Sequence, residues 1–223
     1  MKQIKYFAVA GLLCIAQTCF AQLINWKNLS PLQKHILSVN VGLDYGAVVG
    51  IGYSKQLKTK LPALLGISYS FPSGEKLLDD FKVKIGGQVR VYKIDNIQFS
   101  VAAHGTYRRF QNPFVRLQNF GSELKAVAGY YRPRWFVAGE MGFDKAIVTH
   151  FKHSAEFKSS FPEVRDGWYE PSTGGVFSYG IQTGYWFNNS AVTLEAGKLM
   201  NQDFQTKPLV PIYIRLGYNL AIK

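Results

Sequence analysis

The chain has 223 residues, with 26 lysines and arginines against 14 acidic residues and two cysteines, Cys14 and Cys19. Both cysteines lie in an N-terminal segment that we expect to be removed. The mature protein would then have no disulfide, no thiolate metal site and no cysteine nucleophile. The excess of positive charge is typical either of solvated lysine-rich loops or of a protein that meets a polyanion or an anionic membrane surface.

The first 21 residues have the composition of a secretory signal peptide. Lys2 and Lys5 supply a positive start, and a mostly apolar stretch follows up to Phe20. Small residues three positions and one position before a cut are what signal peptidase requires, and Cys19 and Ala21 fit this rule. We therefore predict that residues 1–21 are cleaved off after Ala21. A membrane anchor is the alternative, and it is disfavoured because the stretch is too short to span a bilayer comfortably.

The segment 22–36 is predicted to form an N-terminal extension. Its sequence Ser30-Pro31-Leu32-Gln33 has the form of a capping box with proline at the first helical position. We therefore predict a short helix near 31–36. The extension would lie on the periplasmic side, with Trp26 near the membrane.

Period-two alternation dominates the rest of the chain. From Leu37 to Tyr45 the sequence reads LSVNVGLDY, which places apolar residues on one face of a strand and polar or small residues on the other. The same pattern recurs at 49–54, 65–71, 81–91, 99–108, 123–130, 135–144, 177–187, 192–196 and 212–222. We predict an all-β fold over residues 37–223, a closed antiparallel transmembrane β-barrel of about ten strands, with eight strands as the alternative.

The connections between the predicted strands alternate in length. The short ones lie at 58–61, 93–97, 132–134 and 188–190, and the longer ones near 72–80, 111–119, 150–175 and 201–210. Short periplasmic turns and longer outer loops give this rhythm, which the tight connection near Asp44 to Ala47 interrupts. An even number of strands places both chain ends on the periplasmic side. Aromatic residues near the strand ends indicate girdles at the two membrane interfaces.

The region 37–223 resembles the small outer-membrane β-barrel families of Gram-negative bacteria. The resemblance rests on the alternation and on the closing strand from Ile212 to Lys223, which reads IYIRLGYNLAIK. It implies an outer-membrane location, contact with outer-membrane lipid and lipopolysaccharide, and a closing strand that the barrel-insertion machinery recognises. The resemblance covers a broad class and selects no single member function.

Charged residues concentrate on the polar side of the predicted strands, which faces the interior of a closed barrel. They are Asp44, Lys82, Lys84, Arg90, Arg108, Glu123, Lys125, Glu140, Asp144, Glu195 and Arg215. A barrel of about ten strands has a narrow interior that side chains largely fill, and an unpaired charge buried there would be costly. We therefore predict a salt-bridged lumen charge cluster that plugs the barrel, with a narrow ion-conducting path as the alternative.

The histidines suggest no metal site. His150 and His153 with Glu156 have zinc-binding side chains, but zinc needs three or four ligands converging on one point. Positions three apart on a strand face opposite ways, so the spacing fits poorly. We predict no metal and no cofactor.

An enzyme is the second functional hypothesis. Some outer-membrane barrels are hydrolases or acylhydrolases that place histidine, serine and acidic groups near the rim. His104 with Ser100, or His153 with Ser154, are the available pairs, and neither spacing is specific for a triad. We therefore predict no catalytic residue.

The predicted outer loop at 152–175 is rich in aromatic residues. Phe157, Phe161, Trp168 and Tyr169 all lie in it. Apolar aromatic side chains in an exposed loop indicate a binding surface, whereas a loop that folds back on the barrel rim is the alternative.

Three functional hypotheses follow. The first is an integral outer-membrane barrel with a structural or interaction role, either as a narrow pore or as an accessory to an export or uptake system with an envelope protein partner. The second is the outer-membrane enzyme acting on lipid or peptide. The third is a secreted soluble β-barrel that binds a small apolar ligand inside, and it would require the opposite arrangement of apolar and polar faces. Export makes nucleic acid an unexpected partner.

Overall fold

The structure is a computed structural model that describes residues 25–27, 34–44, 46–73, 79–171, 174–206 and 208–223. The predicted signal peptide and the capping-box residues Ser30 to Gln33 lie outside the described residues. The first strand begins at His35, two residues earlier than predicted. Positions 35 and 36 of the predicted helix near 31–36 are therefore strand.

The described residues form eleven strands and one short helix. They are β1 (His35–Leu43), β2 (Ala47–Leu57), β3 (Ala63–Pro72), β4 (Asp80–Ile94), β5 (Ile97–Gln111), β6 (Val115–Tyr131), β7 (Trp135–His153), α1 (Ala155–Ser160), β8 (Gly167–Tyr169), β9 (Gly175–Phe187), β10 (Ser190–Asn201) and β11 (Ile212–Ile222). Among the described residues, no helix is long and apolar enough to cross a bilayer.

Ten of these strands close into an antiparallel barrel. Each pairs with its neighbours in sequence, β7 pairs with β9, and β11 returns to pair with β1. The short strand β8 adds only to the distal end of β7. The predicted fold class, a closed ten-stranded antiparallel barrel, is confirmed, and the eight-stranded alternative is wrong.

The strands are strongly staggered around the barrel. Starting at Val39 and following paired residues through β2 to β6 leads to Val148 on β7. Following them through β11, β10 and β9 leads to Trp135 on the same strand. Such a stagger tilts the strands relative to the barrel axis and sets which side chains meet across the lumen.

The two faces of the strands lie as the alternation predicts. Outward-facing side chains are apolar and exposed, as at Val41 (48%), Ile181 (61%) and Leu216 (51%). Inward-facing side chains on the same or neighbouring strands are buried and polar, as at Ser38 and Thr193. The alternation therefore separates an apolar outer wall from a polar interior.

The predicted long loop near 111–119 is wrong. Residues 112–114 form a tight turn in which the Asn112 side chain accepts hydrogen bonds from the Phe114 and Val115 backbone N–H groups. Strands β5, β6 and β7 continue well beyond the predicted ends. The alternation hides this continuation because polar residues occupy both faces there, and because a bulge at Phe120 and Gly121 shifts the register. The predicted loop 150–175 accordingly begins only after His153.

The barrel ends differ in their connections. We call the end that carries the turns at 58–62, 95–96, 132–134 and 188–189 the lower end, and the end with α1 and β8 the upper end. The short turns agree with their predicted positions. Both β1 and β11 have their free chain ends at the lower end, as an even strand number requires.

Candidate functional site

The lower end of the lumen is closed by an apolar floor. The floor consists of Trp26, Ile36, Leu64, Val127, Tyr131, Phe136 and Ala138. Ile36 and Phe136 have no exposed surface, and the Tyr131 and Phe136 rings stack with centroids 5.2 Å apart. Trp26 precedes the barrel in sequence yet retains only 5% exposure, so the N-terminal segment contributes a side chain to the closure.

Hydrogen bonds hold this N-terminal segment in the lower opening. Asn25 is fully buried, and its Nδ2 donates to the backbone carbonyl of Arg132, in the turn between β6 and β7, at 2.7 Å. The Lys27 ammonium donates to the Asn96 side chain in the neighbouring turn. Two lower turns therefore anchor residues 25–27 beneath the lumen.

Above the floor, an ion-pair layer crosses the lumen. The Lys125 Nζ lies 2.8 Å from the Glu195 carboxylate and 3.1 Å from that of Glu140. The Arg215 guanidinium lies 2.9 Å from the same Glu195 carboxylate. Glu195 and Arg215 are paired neighbours on β10 and β11, whereas Lys125 reaches them from β6 on the opposite wall. We call these four residues the central layer.

Neutral side chains complete the bonding of Glu140. Its carboxylate accepts from Gln182 Nε2 at 3.0 Å and from the Tyr213 hydroxyl at 2.5 Å. Tyr213 lies on β11 and reaches Glu140 on β7 past strands β9 and β10. An added Cβ at Gly180 or Gly197 would collide with the Tyr213 hydroxyl, so the two glycines leave room for the Tyr213 side chain to reach Glu140.

A second set of ion pairs lies nearer the upper end. Lys84 on β4 meets Glu123 on β6 at 2.8 Å, and His104 Nδ1 lies 3.4 Å from the same carboxylate. Lys82 pairs with Asp144 on β7. Arg108 pairs with Asp80 at 3.0 Å through its guanidinium. The pairs of Lys84 with Glu123 and of Lys82 with Asp144 skip at least one strand, so they brace the wall across the lumen.

Nine of the eleven predicted lumen residues take part in these ion pairs. The nine are Lys82, Lys84, Arg108, Glu123, Lys125, Glu140, Asp144, Glu195 and Arg215. Asp44 lines the upper part of the lumen without an ion pair among the described residues. Arg90 lies nearer the lower end and donates to Gln98 at 3.3 Å instead of to an acid.

The network also includes residues outside the predicted lumen charge cluster, among them Asp80 and Tyr213. Asp80 lies two positions before Lys82 and thus on the same strand face, but it was assigned to a loop. Tyr213 lies two positions before Arg215 on the inward face of β11. The available signal in both cases is spacing, because residues two positions apart on a strand share a face. Asp80 lies outside the predicted strand, and Tyr213 is uncharged.

The central layer divides the space inside the barrel. A cavity of about 330 Å³ lies on the upper side, where Pro208, Leu209 and Val210 contribute to its lining. A smaller cavity of about 80 Å³ lies toward the floor and is lined by polar groups such as Gln88 and His104. Lys84, Glu123, Lys125 and Arg215 line both cavities and so separate them.

The histidine and serine pairs do not form a hydrolase site among the described residues. Ser100 Oγ accepts a hydrogen bond from Gln88, and His104 faces Glu123. Ser154 Oγ caps α1 by accepting from the Phe157 backbone N–H. Within the described ranges, no group of three histidine, cysteine or acidic side chains is placed to hold a metal.

The connection between β7 and β9 is ordered by Asp166. The His153 backbone N–H and the Lys158 ammonium donate to the Asp166 carboxylate and hold its pKa well below the usual range. Phe157 on α1 packs against Phe114 and Phe161. The connection therefore folds back on the β5–β6 turn, as one of the two predicted alternatives proposed.

Other aromatic residues of the same connection remain exposed. Trp168 keeps 58% of its surface exposed, and Phe161 keeps 54%. Trp168 is paired with His150 across β7 and β8, and the two rings lie 4.9 Å apart. Their outward faces are exposed to solvent, and the binding surface stays a prediction.

Comparison with known proteins gives no family by sequence. No family model matches the chain, and no curated protein matches it. Solved structures do match, among them one described as "KdgM porin in complex with disordered oligogalacturonate". The identity is 8% and the TM-score 0.42, over 84% of this chain and 99% of that chain. The fold assignment therefore rests on the strand pairing described above.

Proposed function

We propose that this protein is an integral outer-membrane β-barrel with a closed lumen and a structural or interaction role in the cell envelope. Its outer wall supports membrane insertion, because exposed apolar side chains cover successive strands. Val101 (39%), Leu194 (44%) and Leu216 (51%) are examples. In water, a protein with such a continuous apolar wall would aggregate, whereas in a bilayer the lipid tails solvate the wall.

Aromatic rows near both ends of the wall support the same placement. Toward the upper end, Tyr69, Phe81, Tyr107 and Phe120 form a row with neighbouring ring centroids 5.0–5.9 Å apart. At the lower end, Tyr130 contacts Trp135, and Phe187 contacts Tyr218. Amphipathic rings prefer the headgroup level of a bilayer, so the two sets mark its two interfaces.

The soluble ligand-binding barrel is disfavoured by the same geometry. A protein that carries an apolar ligand in water needs an apolar interior and a polar exterior. Here Glu140 and Glu195 are buried in the lumen, while Ile181 and Leu216 face outward. The polarity is therefore that of a membrane barrel.

One observation supports the closed lumen above all others. Lys125 crosses from β6 to Glu195 on β10, and the floor that includes Trp26 lies further toward the lower end. The ion pair fills the central layer, and the floor seals the lower opening. Opposite charges neutralise one another in this layer, whereas a selective pore would carry an excess of one sign along an open path.

Reconstitution of the full mature chain tests this proposal. We expect the protein to fractionate with outer membranes, to migrate differently on gels with and without boiling, and to give little or no conductance in planar bilayers. Recovery as soluble periplasmic protein would contradict the membrane placement. A large, steady and selective conductance would contradict the closed lumen.

A gated conduit is the second candidate, and the two cavities are the observation that favours it. Lys84, Glu123, Lys125 and Arg215 separate them, so a joint movement of these side chains would connect them. An opening at the lower end would further require the Trp26 segment to leave. Under this candidate, Trp26→Ala would raise conductance, whereas Trp135→Ala on the outer wall would not. Equal, negligible conductance of both variants would argue for the closed barrel.

A further inference from the structure

A group of basic side chains projects outward from the upper end of strands β5, β6 and β7. Arg109, Arg116, His150 and Lys152 compose this group, which we call the cationic face. Arg116 is paired with Lys152 across β6 and β7, and Gln118 is paired with both Arg109 and His150. Two neighbouring rows of paired residues across these strands therefore present all four side chains on the same side of the sheet.

The cationic face lacks the neutralising partners found inside the barrel. Among the described residues, no carboxylate lies within ion-pair distance of its arginines or of Lys152. Arg116 and Lys152 stand directly opposite each other, and like charges in that position repel. Arg109 donates to the Gln111 side chain at 2.7 Å, which leaves its charge uncompensated.

Three nitrogen atoms of this face are buried from solvent and have no hydrogen-bond partner among the described residues. They are Nε of Arg109, Nε of Arg116 and Nδ1 of His150. Buried polar atoms in native proteins are nearly always paired, and a bound water or ion is one explanation for an unpaired one. Guanidinium donors favour oxyanions, and a phosphate can accept two parallel hydrogen bonds from one guanidinium.

Aromatic rings place the cationic face at the level of lipid headgroups. Arg109 is the paired neighbour of Phe81, and the His150 and Trp168 rings lie 4.9 Å apart with their planes tilted by 55°. Trp168 continues the upper aromatic row, since it lies 6.0 Å from Phe120. The row marks the membrane interface, so the cations next to it lie where headgroup phosphates lie.

We propose that the cationic face binds the phosphates of a phosphorylated glycolipid of the outer leaflet, lipopolysaccharide. This inference rests on the proposed membrane placement and adds a defined lipid site to it. The guanidinium groups of Arg109 and Arg116 and the ammonium of Lys152 bind the phosphates. The exposed ring of Trp168 lies against the sugar or acyl part of the same lipid.

Binding to the detergent-solubilised full mature chain tests the site. The ligands are purified lipopolysaccharide, the same preparation after enzymatic dephosphorylation, phosphatidylglycerol vesicles and inorganic phosphate. The test variant combines Arg109→Gln, Arg116→Gln and Lys152→Gln. Each cation near an anionic membrane surface contributes about 1 kcal/mol, so losing three should weaken lipopolysaccharide binding about a hundredfold.

A matched variant controls for net charge. Lys58→Gln, Lys60→Gln and Arg134→Gln remove the same three charges from exposed turns at the lower end. We expect this variant to bind lipopolysaccharide like the parent, and dephosphorylation to weaken binding to the parent but not to the test variant. Gel mobility without boiling shows that each variant retains the barrel.

Several outcomes would overturn the proposal. If both triple variants lost lipopolysaccharide binding equally, the loss would reflect net charge and not this site. Unchanged binding after dephosphorylation would exclude the phosphates, and equal affinity for phosphatidylglycerol vesicles or inorganic phosphate would exclude the glycolipid. Any of these results in a heat-modifiable, membrane-inserted protein would leave the barrel proposal intact. A chain that fails to insert at all would instead contradict the proposed function.

Discussion

The lumen and the cationic face carry the same types of side chain in opposite situations. Inside, Lys125 and Arg215 lie 2.8 and 2.9 Å from one glutamate, Glu195. Outside, Arg116 faces Lys152 without a carboxylate within ion-pair distance among the described residues. A narrow low-dielectric interior must neutralise its own charges, because solvent and ligands cannot do so. The outer surface can leave charge for an external partner, so position relative to the wall decides the role of each cation.

Removing the shared carboxylate of the central layer should have the largest effect. Glu195→Ala leaves Lys125 and Arg215 close together without their common partner. Breaking a buried ion pair from one side costs about 3–5 kcal/mol, so we expect a loss of that size in the free energy of unfolding. Denaturant unfolding in lipid vesicles measures it. Glu163→Ala, on the exposed connection after β7, is the control, and similar losses in both variants would contradict the buried network.

Leu194, which precedes Glu195 on β10, tests the outward side of the barrel wall. Leu194 faces outward, and Leu194→Arg would place a charge against lipid tails. The expected cost is about 2–4 kcal/mol if the site lies near the bilayer midplane, and Val101→Arg should behave alike. Leu209→Arg serves as the control, because Leu209 is 99% exposed in an upper connection. If both wall variants fold as stably as the parent in vesicles, the assignment of the faces is wrong.

A smaller change probes the neutral part of the network. Tyr213→Phe removes the hydroxyl that donates to Glu140 at 2.5 Å and leaves the ring in place. An unsatisfied buried acceptor costs about 1–3 kcal/mol, which unfolding curves resolve. Tyr218→Phe removes a hydroxyl from the outer wall, where it contacts Ser190, and should change stability by less than about 0.5 kcal/mol. Equal effects would show that the contact between Tyr213 and Glu140 contributes nothing specific.

The smallest effect is expected at the connection between β7 and β9. The pKa of Asp166 is lowered in the folded state, chiefly by the hydrogen bond from the His153 backbone N–H. Its stabilising contribution is therefore complete above the usual aspartate pKa of about 3.9 and is lost as the pH falls further. Protease cleavage within 154–169 should increase on acidification while the barrel stays folded.

Substitution checks the origin of that acid response. Asp166→Asn should make the connection susceptible to protease at neutral pH and remove most of the pH dependence. Asp203→Asn alters a different upper turn, where Asp203 accepts hydrogen bonds from Thr206, and should leave cleavage at 154–169 unchanged. If cleavage of Asp166→Asn within 154–169 still increased on acidification as in the parent, other titrating groups would be responsible.

The cationic face shows where the sequence reasoning was incomplete. Arg116 lies in the stretch near 111–119 that was predicted as an outer loop, and Arg109 lies just before it, because polar residues on both strand faces removed the alternation. The tight turn at 112–114 pairs the strands that carry these arginines, and the register shift between β6 and β7 at Phe120 and Gly121 brings Lys152 to the same face. Neither feature has a strong signature in the sequence, since a bulge shifts register by a single residue.

The sequence by itself determined a barrel of about ten strands and the facing of the regularly alternating strand segments, and it indicated most of the charges that the structure places in the lumen. Alternation has a period of two, so one correctly placed residue, such as Val39 or Leu194, fixes the facing of its whole strand. The tertiary structure alone decided which charges meet. Lys125 joins Glu195 from 70 residues away because the barrel closes with a particular stagger. That stagger is the sum of ten pairwise registers, and no local pattern in the chain encodes the sum.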